Sequence, residues 1–128
     1  MKKIIFLFLL FISANLFAQE PSASECKQFH TGTFYVKGMS NIVITRDAQF
    51  QTETNPATGK YIKMSITWID DCTYELRLVK TNDRKQKKDY KKMGVLTVTI
   101  TSADENSYHF SATSPVMKEA VKGVIIKK

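Results

Sequence analysis

The sequence predicts an all-β fold, an antiparallel meander of about eight strands that closes into an up-and-down barrel or stays a strongly curled open sheet. Three observations support this prediction. Apolar and polar residues alternate with a period of two after Gly32, the connections are short and rich in turn residues, and no stretch carries an apolar stripe at helical spacing. Short links make consecutive strands antiparallel neighbours, and closure removes the exposed edge strands. A sandwich is the third alternative.

Three segments alternate most clearly and define the central strands. They are 60-KYIKMSITWI-69, 72-CTYELRLVKT-81 and 93-MGVLTVTITS-102, each with one apolar and one polar face. Weaker strands are expected at 30–36, 41–46, 49–54, 107–113 and 119–127, separated by turn residues as in 55-NPATG-59. The segment 83-DRKQKKDYKK-92 has helix-favouring residues but no apolar face, which is typical of a solvated loop or a frayed helix.

The adjacent carboxylates Asp70 and Asp71 lie between two of these strands. Pairing Trp68 with Cys72 keeps both apolar faces on one side and leaves Ile69, Asp70 and Asp71 as a three-residue loop. Such loops usually hold one residue in the left-handed region, which Asp tolerates better than most side chains. No third metal ligand or facing carboxylate is close in the sequence. We therefore expect a turn role for the two aspartates rather than a metal or acid–base role.

The N-terminus has the layout of a secretory signal peptide. Lys2 and Lys3 precede the apolar run 4-IIFLFLLFI-12, which is too short to span a bilayer, and Ala18 is a suitable last residue before cleavage. We expect residues 1–18 to be a signal peptide and residues 19–128 to form a single β domain. The mature protein would then be periplasmic or secreted. A lipid anchor is disfavoured because the first cysteine, Cys26, lies well past the apolar run.

The two cysteines, Cys26 and Cys72, are expected to form one disulfide. Oxidising compartments favour disulfides, and this chain offers only one pair. Two buried thiols are the alternative. A cross-link that closes a loop of this length stabilises a protein by roughly 4 kcal/mol in the chain-entropy model.

The formal net charge is +7, and most of the excess is local. Between Lys80 and Lys92 there are seven basic and two acidic residues. Such a segment attracts polyanions without reading sequence, and in this compartment an anionic glycan or lipid surface is the expected partner rather than chromosomal nucleic acid. A solvated extension that keeps the protein soluble is the alternative. The candidate polyanion contacts are Lys85, Lys87, Lys88, Lys91 and Lys92.

Five aromatic residues have the strand parity of inward-facing positions. In a closed eight-strand barrel such side chains either fill the core or line one small ligand cavity. The candidates are Phe34, Trp68, Tyr74, Tyr108 and Phe110.

Catalytic and cofactor motifs are lacking in the sequence. His30 and His109 are its only histidines, and they do not belong to a metal or triad motif. We therefore expect no metal, no cofactor and no enzymatic activity. No segment after the N-terminal run approaches the roughly 18 apolar residues of a membrane span.

Three motifs resemble a group of small exported bacterial proteins of unknown function. They are 26-CKQFHTGTFYV-36, the strand IVITR that follows, and 68-WIDDCTYEL-76. Some members of that group carry the label topoisomerase IV. That label does not fit this sequence, because a signal peptide and a mature domain of this size leave no room for an ATPase or a DNA-cleavage core. Residues Gly32 to Phe34 are also similar to the first strand of lipocalin-like barrels, although Phe34 stands where those barrels have a tryptophan. This similarity implies a ligand-binding barrel.

The leading interpretation of the sequence is therefore an exported, non-enzymatic β-barrel that binds a small apolar or amphipathic ligand. The second is an envelope-surface module that binds a polyanion through the basic 80–92 segment. A third is a hydrolase or isomerase whose site is assembled from distant residues, for example His30 or His109 with a carboxylate.

Overall fold

A computed structural model describes residues 20–128, and this part of the chain forms an eight-stranded antiparallel barrel with two short helices. Each strand pairs with its neighbours in sequence order, so the barrel is an up-and-down meander. The predicted signal peptide, residues 1–18, lies outside the described residues. The strands are β1 (Gly32–Val36), β2 (Met39–Arg46), β3 (Phe50–Asn55), β4 (Lys60–Asp70), β5 (Thr73–Thr81), β6 (Leu96–Ala103), β7 (Ser107–Thr113) and β8 (Val121–Lys127), and the helices are α1 (Ala23–Lys27) and α2 (Arg84–Met93).

Pairing of the first and last strands closes the barrel. Phe34 lies opposite Lys127, and Val36 lies opposite Ile125. The backbone N–H of Lys37 also donates to the carbonyl of Val124 at 2.9 Å. The all-β barrel prediction is thus confirmed, and the open curled sheet is excluded.

The barrel has two different ends. At the first, which we call the α1 end, helix α1 lies before β1 and the turns after β2, β4 and β6 are found. At the other, the α2 end, α2 connects β5 to β6 and the turns after β1, β3 and β7 are found. Because α1 and α2 lie at opposite ends, the two openings of the barrel have different chemical surroundings.

The core is one continuous cluster inside the barrel. Period-two alternation places one face of each strand in this core, which is why the alternating segments of the sequence predicted the strands. Its buried members are Cys26, Phe29, Phe34, Ile44, Ile62, Met64, Ile66, Tyr74, Leu76, Val98, Ile100, Tyr108, Ala112 and Ile125.

The pairing of β4 with β5 differs from the predicted register by two residues. Trp68 lies opposite Tyr74 rather than Cys72, and the turn is shorter because Asp70 pairs with Thr73. A shift of two keeps every side chain on its predicted face, so the alternation could not detect the error. The predicted left-handed residue is also wrong, because no residue other than glycine has a positive φ among residues 20–128. Instead the Asp70 carboxylate accepts a hydrogen bond from the Cys72 N–H at 2.9 Å, an Asx turn.

The Cys26–Cys72 disulfide is confirmed, and it ties α1 to the β4–β5 turn. Helix α1 was not predicted, although its capping box is present in the sequence as 22-SASE-25. The Glu25 N–H donates to Ser22 Oγ at 3.2 Å, and the Ser22 N–H donates to the Glu25 carboxylate at 3.3 Å. The cap and the cross-link together hold a helix too short to be stable alone.

Helix α2 replaces the loop or frayed helix that the sequence predicted for the basic segment. Asp83 caps its first turn, accepting from the Lys85 N–H at 3.0 Å, and Gly94 ends it with a φ of 71°. The partly buried residues Gln86, Tyr90 and Met93 recur at helical spacing. Of these, the Tyr90 ring packs against the core cluster, and a single ring is too little to appear as an apolar stripe in the sequence. None of the helices within residues 20–128 has the length and hydropathy needed to cross a bilayer.

Candidate functional site

A buried arginine fills the barrel at its α1 end. Alternation on β2 places Arg46 on the same face as Ile44, and Arg46 is only 4% exposed. Its guanidinium donates to the Phe29 carbonyl at 2.7 Å and twice to the Gln51 amide oxygen, at 2.7 and 3.0 Å. The Phe29 bond holds the segment after α1 across the barrel. This end is therefore closed by a polar network rather than left open for a ligand.

Aromatic rings surround the same guanidinium. It donates to the Tyr108 hydroxyl at 3.0 Å and to that of Tyr74 at 3.3 Å, and it lies 5.0 Å from the Phe34 ring centroid and 5.8 Å from that of Trp68. Burial raises the pKa of Tyr74 well above its usual range, so both Arg46 and Tyr74 keep one charge state near neutral pH. We assign this cluster a structural role.

His30 belongs to the wall of the α1 end. Its ring stacks on Trp68 with the centroids 3.5 Å apart, and its Nε2 lies 2.8 Å from the Asp71 carbonyl oxygen. These contacts give His30 and the 70–71 turn a shared packing role. His109 instead projects from the outer face of β7 and is exposed. Among residues 20–128, no three His, Cys, Asp or Glu side chains are grouped closely enough to hold a metal ion.

A cavity of about 440 Å³ lies at the α2 end. This volume falls within the range of small-molecule sites. Its wall combines apolar and aromatic side chains from β1, β2, β4 and α2 with an equal number of polar and charged residues. The residues that line it are Val36, Met39, Ile42, Glu53, Asn55, Thr58, Lys60, Tyr61, Ile62, Asp83, Gln86 and Tyr90.

One carboxylate of this cavity is in an unusual setting. Glu53 is half-buried, and burial raises its pKa, an effect that Arg46 only partly opposes. Burial of Tyr90 likewise raises the pKa of its hydroxyl, and the negative charge of Glu53 raises that pKa further. Tyr90 therefore stays protonated at any physiological pH and offers the cavity a neutral ring and a hydroxyl.

Helix α2 is fixed beside the cavity by contacts at its start. The Asp83 carboxylate lies 3.4 Å from the Lys60 ammonium. Asn82 Nδ2 donates to the Gly59 carbonyl in the β3–β4 turn at 3.0 Å, and Asn82 Oδ1 accepts from the Tyr61 N–H of β4 at 2.9 Å. Backbone hydrogen bonds hold the pKa of Asp83 below its usual range, so this anchor stays charged. The start of the helix is thus attached to the beginning of β4, next to its connection to β5.

The outer face of α2 carries the predicted polyanion contacts. All five lysines, Lys85, Lys87, Lys88, Lys91 and Lys92, are exposed. Two of them, Lys87 and Lys91, join Arg77 and Lys80 along a groove of about 390 Å³ between α2 and β5. The basic segment is thus a structured surface rather than a loop.

The predicted aromatic set lies mostly at the α1 end. Phe34, Tyr74 and Tyr108 are buried there, Trp68 packs against His30 and Tyr74, and Phe110 packs beside Tyr108. Three of these rings thus belong to the core cluster, and the other two pack against it.

Sequence reasoning missed Arg46, Gln51 and Glu53. Their signal was present, because each has the strand parity of a buried neighbour: Glu53 pairs with Ile44 and Ile62, and Gln51 with Met64. Charged and amide side chains are seldom buried, so the inward strand parity of these three residues was not read as burial.

Comparison with known proteins gives no relative: no family model matches the chain, and neither the curated proteins nor the solved structures contain a significant match.

Proposed function

We propose that this protein is an exported, non-enzymatic β-barrel that binds a small apolar or amphipathic ligand at its α2 end. The observation that carries the proposal is the cavity between the barrel rim and α2, whose wall is half apolar or aromatic and half polar or charged, as an amphipathic ligand requires. The disulfide supports export, since such bonds persist in oxidising compartments.

The asymmetry of the barrel supports the choice of end. At the α1 end the interior is occupied by Arg46 and the rings around it, whereas at the α2 end space remains beside Ile42, Ile62 and Tyr90. Both histidines lie away from this space, His30 against Trp68 and His109 on the outer face. The polar groups that do line the cavity are suited to fixing the orientation of a bound ligand.

An NMR titration with octanol tests this proposal. We expect amide shifts at Ile42, Ile62 and Tyr90, and none around Arg46. Met39→Trp should weaken binding about fivefold, because Met39 lines the cavity and is 52% exposed at its mouth. Val121→Trp is the matched control, since Val121 is 53% exposed on β8 and is not part of the cavity wall. No saturable shift, or equal effects of the two tryptophans, would remove the proposal.

A second candidate function is adhesion to a polyanion through α2. The groove that brings together Arg77, Lys80, Lys87 and Lys91 favours it, because clustered cations gain affinity from counterion release. Reversing Lys87 and Lys91 to Glu should lower the salt concentration that elutes the protein from heparin. Reversing Lys118 and Lys122, which are exposed and off the helix, makes the same change in net charge. Equal elution of the two variants would show that only net charge matters.

A further inference from the structure

The orientation of Glu53 is set by its strand register. On β3 it pairs with Ile44 of β2 and Ile62 of β4, both of which are buried in the core. Directly paired residues in antiparallel strands point to the same face. The Glu53 carboxylate therefore points to the inside of the barrel, where it forms part of the cavity wall.

Among residues 20–128 no cation forms an ion pair with this carboxylate, and the charge of Arg46 offsets only part of the effect of burial on its pKa. The two ion pairs among residues 20–128 are Lys60 with Asp83 and Arg77 with Glu75. Lys60 lines the same cavity but is engaged with Asp83, and the Arg46 guanidinium donates to Phe29, Gln51 and the two tyrosines. A partly desolvated carboxylate without a paired cation reduces the stability of the fold, and such groups concentrate at functional sites.

The residues around Glu53 determine which ligand group could compensate its negative charge. Ile42, Ile62 and Val36 offer an apolar wall, and the Tyr90 ring lies close enough for its pKa to respond to the Glu53 charge. An ammonium group next to Glu53 would gain a charge-assisted hydrogen bond, and a ring face can add a cation–π contact. A ligand carboxylate in the same place would instead meet a like charge.

We propose that the ligand of this cavity is a cationic amphiphile, an alkyl or arylalkyl amine whose protonated nitrogen pairs with Glu53 while its apolar body packs against Ile42 and Ile62. This inference rests on the proposed function, and it adds the charge of the ligand. It also assigns Glu53 the role of determining specificity.

Calorimetric titration with three probes of equal length tests the proposal: octylamine, octanol and octanoate. Alkylamines stay protonated at neutral pH, because their pKa is close to the value of about 10.4 for lysine. We expect octylamine to bind most tightly and octanoate most weakly. Glu53→Gln should lower octylamine affinity about tenfold or more and leave octanol affinity unchanged or improved.

Glu105→Gln is the matched control, because it makes the same chemical change at an exposed turn of the α1 end. It should leave all three affinities unaltered. Equal binding of octylamine and octanol that is insensitive to Glu53→Gln would overturn the inference and leave the proposed function standing. Failure of all three probes to bind would overturn both. Glu53→Gln is expected to fold, since it removes a charge from a partly desolvated position, and circular dichroism checks this directly.

Discussion

Replacing Arg46 with Met should destabilise the barrel by about 3 kcal/mol. Met keeps the apolar stem but removes every donor, so the Phe29 carbonyl and the Gln51 amide oxygen lose their partners in a buried place. Each orphaned acceptor costs roughly 1–3 kcal/mol. The tyrosine hydroxyls cost less, because Tyr74 and Tyr108 already bond to each other at 2.9 Å. Removing the desolvation penalty of the guanidinium offsets part of this loss.

Urea unfolding followed by Trp68 fluorescence measures the effect, since Trp68 packs in the same cluster. Arg77→Met is the control: Arg77 forms an exposed ion pair with Glu75 at 3.4 Å, and its loss should cost less than about 1 kcal/mol. Hydrogen exchange should also become faster at residues 23–30 and stay unaltered in α2. An Arg46→Met protein as stable as Arg77→Met would refute the structural role of the network.

Three further predictions concern the cross-link, a close contact and the cavity carboxylate. Replacing Cys26 and Cys72 together by Ser should cost about 4 kcal/mol in urea unfolding and loosen residues 20–30; a loss below 1 kcal/mol would mean that the cross-link matters little. Gly123→Ala should lower the melting temperature, because a Cβ there would lie 2.8 Å from the Phe110 ring, and Phe110→Leu in the same chain should restore part of the loss; equal melting of Gly123→Ala and wild type would contradict the close approach. The pKa of Glu53 is raised in the folded state, so its charge destabilises the fold once pH exceeds the usual carboxyl value and is without effect below it. Glu53→Gln without ligand should therefore be more stable than wild type at pH 7 and equal to it at pH 3; the opposite trend would show that Glu53 has a partner in the fold.

The strands and their order could be predicted from the sequence because burial in a sheet repeats every two residues, whereas the sequence left open whether β1 pairs with β8 to close the barrel. Ile62, Met64 and Ile66 define an inner face whatever the turn that follows them. The turn itself could not be predicted, because registers that differ by two residues place the same side chains inside. The Asx turn of Asp70 selects the shorter connection, and that choice depends on one hydrogen bond.

The candidate site was harder to predict, since it depends on exceptions to the usual distribution of residues. Arg46 and Glu53 have inward parity, yet the general expectation for charged side chains is exposure. Recognising Arg46 required knowing that Tyr74, Tyr108 and the Phe29 carbonyl converge on one point. Those residues come from distant parts of the chain, so only the closed barrel brings them together.

The strand that holds Gly32 and Phe34 belongs to a closed barrel, and in it the Phe34 ring packs against the Arg46 guanidinium. The cavity beside α2 lies at the opposite end of the barrel from this contact. The rings that sequence reasoning considered for a ligand thus fill one end, and the residues proposed here to bind one lie at the other.

A crystal structure of the protein with octylamine tests the central claim most directly. We expect the amine in the cavity at the α2 end, with its nitrogen roughly 2.7–2.9 Å from a Glu53 carboxylate oxygen and its chain against Ile42 and Ile62. An empty cavity at saturating octylamine, or an amine whose nitrogen points away from Glu53, would contradict it.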